Sequence, residues 1–253
     1  MSEKIIGIIP SRYSSTRLLA KPLIDLCGKT MIERVYEGAK NSKLLDKIIV
    51  ATDDERIANV VKKIGGDFEM TPPSIQSGSD RVAFVSEKFP NAEIVVNIQG
   101  DEPLLKGELI DELVFPMLND NSIQVATPIK KIEITEELFS PNIPKVIVDK
   151  DFFAIYFSRF PIPFVVKNFD SKELQKHVTY YKHIGIYAFR NSALKNFTQL
   201  PKTDLEQMES LEQLRMLYNG WKIKTVLTNY NTYSVDTYAD ADVVREILRN
   251  KLL

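Results

Sequence analysis

The chain has 253 residues, 44% hydrophobic and 26% charged, ordinary values for a globule with a sizeable core, and its length suits one large domain with an appendage. Thirty-three Lys and Arg against 34 Asp and Glu leave a net charge of -1, and no basic block stands out, so bulk electrostatic binding of nucleic acid is not expected. A single cysteine, Cys27, excludes an internal disulfide framework and a cysteine-built zinc site, and no apolar run approaches the ~20 residues that span a bilayer.

The apolar run after Met1-Ser2-Glu3-Lys4 meets Pro10-Ser11-Arg12 too soon for a signal peptide, so the expected protein is cytoplasmic and has no membrane partner. Ile5–Ile9, Ile48–Ala51 and Ile94–Ile98 are near-continuous and β-branched, as strands buried on both faces should be. Between them Met31, Ile32, Val35, Tyr36 and Ala39 recur at helical spacing, as do Ile57, Val60, Val61 and Ile64. Thr52-Asp53-Asp54-Glu55 supplies a cap and acids for the second helix, and Gly65-Gly66 ends it. This alternation predicts an α/β fold, a doubly wound and mostly parallel sheet.

The middle changes character. Lys145–Val148, Ala154–Phe157 and His183–Phe189 read as strands, with Asp149-Lys150-Asp151 a tight turn between the first two. Two prolines in Phe160-Pro161-Ile162-Pro163-Phe164 bar a central strand there. An antiparallel insertion, residues 145–190, is expected within a single domain spanning 1–253. Its Phe152, Phe153, Phe160 and Phe164 would expose apolar area that a second copy could cover. A helix over Asp204–Tyr218, a strand over Lys222–Leu227 and a helix over Tyr238–Arg249 complete the chain.

Ligands of open parallel sheets bind beyond the carboxyl ends of the strands. After the first strand, Arg12, Arg17 and Lys21 are interleaved with hydroxyls in a loop without regular period. Such a loop is either an ordinary solvated loop or a cradle for a triphosphate, whose oxygens match Arg forks and a Lys point charge. It has neither the Walker nor the G-x-G-x-x-G pattern, which argues against a P-loop kinase and a Rossmann dehydrogenase. After the Ile94 run come Gln99-Gly100-Asp101-Glu102-Pro103. If the extended run continues, Asn97, Gln99 and Asp101 share a side, and Gly100 lets a ligand or second backbone approach. Asp101 is either a turn acid or a ligand for Mg²⁺.

Together, Arg12…Thr16-Arg17…Lys21-Pro22-Leu23 and Gln99-Gly100-Asp101-Glu102-Pro103 resemble the sugar-acid cytidylyltransferases, most of all the branch acting on an octulosonic acid. Ala51-Thr52-Asp53, Gln76–Arg81, Tyr156–Arg159, Lys182–Tyr187, Glu212–Arg215 and Val235-Asp236-Thr237 continue the match in order along nearly the whole chain. The resemblance implies a fold like the nucleotide-diphospho-sugar transferases, a homodimer, and Mg²⁺ as cofactor. It implies transfer of CMP from CTP to the anomeric hydroxyl of a 3-deoxy-octulosonic acid, or of its 8-amino form, for lipopolysaccharide assembly. By position, Arg12, Ser14, Arg17 and Lys21 would hold the triphosphate, with Ser77, Gly78 and Arg81 near the cytidine. Lys21, Arg12 and Asp101 would be catalytic, Asp101 and Asp236 metal ligands, and Gln99, Arg159, His183, Tyr187 and Glu212 contacts to the sugar acid.

Two positions depart from the family: Leu19-Ala20 replaces the usual Pro-Gly before Lys21, and Ser79 replaces a Thr. Outside the resemblance, His183 reads as a half-buried, hydrogen-bonded side chain, Arg159 as a carboxylate clamp or an interface ion pair, and Glu212 as a surface ion pair with Arg215. Rival readings are an acylneuraminate-type cytidylyltransferase, a glycosyltransferase, and a non-catalytic nucleotide-binding protein.

Overall fold

A computed structural model describes residues 3–14, 18–166 and 174–251. The strands are β1 (Ile5–Ser11), β2 (Lys47–Thr52), β3 (Asp67–Met70), β4 (Ile94–Asn97), β5 (Val125–Lys131), β6 (Lys145–Val148), β7 (Ala154–Ser158), β8 (Tyr181–His183), β9 (Tyr187–Arg190) and β10 (Lys224–Leu227). The helices are α1 (Met31–Lys40), α2 (Glu55–Lys63), α3 (Gly78–Ser86), α4 (Gly107–Asn119), α5 (Thr135–Phe139), α6 (Leu174–His177), α7 (Asn191–Gln199), α8 (Asp204–Glu209), α9 (Gln213–Tyr218) and α10 (Tyr238–Lys251). Lys21–Leu23 forms a 3₁₀ turn.

Among the described residues the strands form one sheet, ordered β3-β2-β1-β4-β9-β5-β8-β6-β7, with β10 parallel to β5. β3, β2, β1 and β4 are mutually parallel, as the β-branched runs predict. β9 enters antiparallel to both β4 and β5, and β8, β6 and β7 continue antiparallel from β5. The antiparallel segment is therefore an extension of the main sheet.

Alternation in β1 explains the two-sided core. Ile5 and Ile9 join Val35, Ile110 and Val244 on one face, whereas Ile6 and Ile8 join Val82, Leu194 and Leu214 on the other. Helix starts follow local chemistry: Thr30 and Glu33 form a reciprocal capping box on α1, Asp54 caps α2 and Ser77 caps α3. Gly38 lets α1 meet the loop before α4, because a Cβ there would lie 2.4 Å from the Leu105 carbonyl oxygen.

Three expectations are corrected. The run 183–189 is two strands, because Ile186 N–H turns back to Ile184 O at 2.8 Å, and Thr127 Oγ1 is within hydrogen-bond reach of both the Ile184 and Ile186 carbonyls. The helix expected over 204–218 is broken at Ser210, whose φ is 51°. Arg159 satisfies the carbonyls left there, donating from Nε to Glu209 O at 2.6 Å and from Nη2 to Ser210 O at 3.2 Å. The extended run at 94–98 stops at Asn97, and Gly100 sits in a turn whose Cβ would meet Pro10 O at 2.8 Å. A second backbone, that of β1, makes the close approach.

Candidate active site

At the carboxyl ends of β1 and β4 lies an open cleft of about 270 Å³. Of the residues expected to bind nucleotide, metal or sugar, Arg12, Lys21, Ser77, Gly78, Arg81, Gln99, Asp101 and Asp236 line it. Ser14 is exposed on the adjoining loop and is not part of that lining, and Arg17 lies outside the described residues. The start of α3 brings the positive end of a helix to the cleft wall at Ser77-Gly78, which favours an anion.

Lys21 Nζ donates to Asp101 Oδ2 at 2.7 Å and to Asp236 Oδ1 at 2.8 Å, so two acids far apart in sequence share one ammonium. Lys21 is the most enclosed of the three, its side chain 14% exposed. The Val235 N–H donates to Asp101 O at 3.0 Å and carries Asp236 to the β4 edge. Thr237 Oγ1 accepts from Asp240 N–H, while the Asp240 carboxylate accepts the N–H groups of Asp236 and Thr237. Ala20, where the family has glycine, adopts φ 55° and ψ 29°. A left-handed alanine costs about 1 kcal/mol. The replacement is accommodated with strain, and Lys21 still reaches both acids.

Among the described residues no three His, Cys, Asp or Glu side chains gather closely enough to hold a metal ion. Two carboxylates in a cleft that Arg12 and the α3 N-terminus also line nevertheless fit a hard divalent cation, which takes one or two carboxylates and completes its shell with water and ligand oxygens. The ammonium between them is a stand-in cation on the same donors.

Glu102, given no role by the sequence reading, is 7% exposed beside this cluster. Burial first, then the Asp101 charge, pushes its carboxyl up to about 8, opposed by an N–H from Tyr233 and by Lys21. Arg81 is committed to the wall. Its guanidinium pairs with Asp53 at 3.0 Å, donates to Ile75 O at 3.0 Å and contacts Thr71 Oγ1, locking the loop before α3 to the end of β2.

The expected sugar contacts form a second group. Gly185 leaves room for Gln99, whose Cγ would lie 3.8 Å from a Cβ there. The His183 and Tyr187 rings on either side of Gly185 pack 5.4 Å apart. Thr127 Oγ1 lies 2.9 Å from His183 Nε2 and 2.8 Å from Ile186 O. With the Thr127 proton directed at a carbonyl, His183 donates from Nε2, and its Nδ1 remains an acceptor. Glu212 accepts from Ser79 Oγ at 2.7 Å, so the Ser79 replacement keeps a working hydroxyl. It is not the partner of Arg215, which forms a buried pair with Glu206. Among the described residues Arg159 donates three guanidinium bonds, to the carbonyls of Pro141, Glu209 and Ser210, a structural tie. Its own carbonyl, with those of Ser140 and Ile143, accepts from the fully buried Lys145 ammonium. Burial, with Arg159 beside it, lowers Lys145 to about 8.

One expected contact, Tyr187, and one residue not singled out from sequence, Gln213, carry unpartnered groups. Tyr187 OH and Gln213 Nε2 are buried without a hydrogen-bond partner among the described residues. Burial, reinforced by the Glu212 charge, holds the Tyr187 phenol well above its ordinary value. Orphaned donors beside a cleft mark places a hydroxyl- or carboxylate-bearing ligand would satisfy. A lone glutamine has no sequence signal for this; the adjacent Glu212 was its only pointer.

A cleft at the strand ends, lined by cations and a carboxylate pair, suits a nucleotidyltransferase. The family described as Cytidylyltransferase matches residues 6–223, and the chain belongs to that family. A Thermodesulfovibrio yellowstonii protein named 3-deoxy-manno-octulosonate cytidylyltransferase is 47% identical over 250 residues, covering 96% of this chain and 97% of the relative. One of the same name from Syntrophus aciditrophicus is 46% identical, covering 97% and 98%. A solved CMP:2-keto-3-deoxy-manno-octonic acid synthetase complexed with CTP superposes with a TM-score of 0.90 at 39% identity, covering 98% of this chain and 99% of that one.

His183 yields a pH prediction. Burial holds its imidazole at about 3, against an ordinary 6.5. Below pH 6.5 the unfolded chain takes a proton that the folded chain refuses, so stability falls with pH between 6.5 and 3, by up to about 1.4 kcal/mol per unit. Denaturant titrations of wild type and His183→Gln between pH 4 and 7 should show the variant losing close to one proton's worth of that slope. Parallel slopes would mean that the imidazole charges in the folded protein.

Proposed function

We propose that this protein transfers CMP from CTP to the anomeric hydroxyl of 3-deoxy-manno-octulosonate or its 8-amino analogue, releasing pyrophosphate, with Mg²⁺ held by Asp101 and Asp236. The observation that carries the reading is the joining of Asp101, Asp236 and Lys21 in the cleft of a chain belonging to this family. The relatives' names supply the acceptor, and the lipopolysaccharide destination of the product follows from that acceptor.

Arg12 and the α3 N-terminus supply positive charge for the triphosphate. The metal, when bound, neutralises phosphate charge and lowers the pKa of a coordinated hydroxyl. Lys21 leaves one or both carboxylates for the α-phosphate and stabilises the charge that grows there and on the leaving pyrophosphate. Gln99, Tyr187, Gln213 and the acceptor Nδ1 of His183 orient the sugar acid, with Glu212 and Arg159 shaping that wall. The anomeric hydroxyl oxygen attacks the α-phosphorus as the bond from that phosphorus to the bridging oxygen breaks; the bridging oxygen leaves with pyrophosphate and the hydroxyl proton passes to water. His183, held neutral by burial, does not act as an imidazolium acid at neutral pH, and positioning dominates the direct transfer.

Purified protein with CTP, Mg²⁺ and Kdo should release pyrophosphate; no release with any 2-keto sugar acid would overturn the reading. Side-by-side turnover of Kdo and 8-amino-Kdo assigns the acceptor. Asp101→Asn and Asp236→Asn should each lower kcat by at least about 100-fold, ~2.7 kcal/mol in barrier, with circular dichroism unchanged. Near-wild-type turnover of Asp236→Asn would refute the paired-carboxylate site.

The homodimer is part of the same proposal. Phe160 is 72% exposed, Phe164 84% and Val166 87%, an apolar face on the antiparallel side of the sheet that a second copy would cover. Light scattering at micromolar concentration should give twice the chain mass, and a monomer would contradict it.

A further inference from the structure

Arg12 and Lys21 line the cleft, yet the β1 ladder that leads to them stops at Ser11. One backbone bond closes the chain that carries them. Ala20 N–H donates to Tyr13 O at 3.3 Å, which joins the residue after Arg12 to the residue before Lys21. Where Tyr13 is held therefore bears on the place of both cations.

Two contacts hold it, and both come from the junction of β2 and α2. Tyr13 N–H donates to Asp53 Oδ1 at 3.4 Å. The Arg56 guanidinium lies over the Tyr13 ring, 3.4 Å from its centroid, in a cation–π contact. That guanidinium is fixed in turn by a fork onto Asp54, Nε to Oδ1 at 2.8 Å and Nη2 to Oδ2 at 2.6 Å, so a planar group is presented to the ring. The half-buried ring also packs against the core cluster that contains Ile9 and Val35. The second oxygen of Asp53 takes Arg81 Nη2 at 3.0 Å, so one carboxylate touches both the Arg12 segment and the cleft wall at α3. Tyr13, Asp53 and Arg56 are not among the described residues that line the cleft.

We propose that Tyr13 is a positioning residue for the triphosphate cradle: latched under Arg56 and onto Asp53, it fixes Arg12 and Lys21 through its backbone. Arg56 then acts through the ring and not through its charge on the triphosphate. The inference rests on the reading that Arg12 and Lys21 bind the phosphates of CTP.

The test is calorimetric titration of CTP with Mg²⁺ into the full chain. Wild type must bind; if it does not, the CTP reading fails, and that failure is distinct from any failure of the latch. Given wild-type binding, Tyr13→Phe keeps the ring and the backbone bonds and should bind within about twofold of wild type. Tyr13→Ala should weaken CTP by about fivefold or more, and Tyr13→Leu, which fills the space without a π face, replaces it if alanine does not fold. Arg56→Met should weaken CTP by about two- to fivefold, the range for an exposed cation–π contact. The double variant decides how Arg56 acts. Without the ring Arg56 has nothing to hold, so Tyr13→Ala with Arg56→Met should bind no more weakly than Tyr13→Ala alone. A charge acting on the triphosphate from a distance would weaken binding in either background, and additive losses would overturn the latch. So would a Tyr13→Ala protein that binds like wild type, or a Tyr13→Phe protein as weak as alanine. In turnover, Tyr13→Ala should raise the KM for CTP and leave that for the sugar acid within about twofold; equal rises would make Tyr13 a general structural residue and overturn the proposal.

Discussion

Two carboxylates in contact with one ammonium lie within about 5.5 Å of each other, where their repulsion is roughly 3 kcal/mol at an effective dielectric of 20. Lys21 cancels that repulsion, and the cleft is built to bring the three charges together. The 3₁₀ turn delivers Lys21, the turn after β4 delivers Asp101, and the residue before the α10 cap delivers Asp236. Each comes from a different part of the chain, so the cluster exists only when β1 and β4 are paired and α10 is seated. Catalysis and folding share this constraint. Two carboxylates against one ammonium leave that cluster a net charge of about -1.

The second half of the site depends on cations used as structural pins. Lys145, fully buried, gathers the carbonyls of Ser140, Ile143 and Arg159, and Arg159 fans over those of Pro141, Glu209 and Ser210. These bonds hold the end of β7 against the break between α8 and α9 and place Glu212 at the start of α9, where it takes the Ser79 hydroxyl. The break between α8 and α9 is thus fixed by main-chain carbonyls bonded to positive side chains. Such bonds are directional and lose much if a single donor is removed.

What could be read from the residues was local. The β-branched runs of β1, β2 and β4 stand out because parallel strands buried on both faces need them, and the helix caps at Thr30, Asp54 and Ser77 are local bonds. The motif positions around Lys21, Ser77, Asp101 and Asp236 were legible through resemblance, and the cleft gathers them. The rest turns on long-range partners. Nothing near Tyr187 says that its strand inserts antiparallel between β4 and β5. The residues of 204–218 alone cannot report that Arg159, about fifty positions away, donates to Ser210 O where the helix ends. The expected pair of Glu212 with Arg215 gave way to Glu206 for the same reason, since the break at Ser210 changes which residues share a helix face. Glu102, Thr127 and Gln213 carry ordinary neighbours in sequence, and burial alone makes them notable.

The account's central claim is that Lys21 and a divalent cation compete for the same two carboxylates. It is tested most directly by titrating Mn²⁺ into wild type and Lys21→Met without nucleotide. Removing the ammonium leaves Asp101 and Asp236 repelling each other, so the variant should bind Mn²⁺ more tightly than wild type. Equal or weaker binding by Lys21→Met would contradict a shared carboxylate pair.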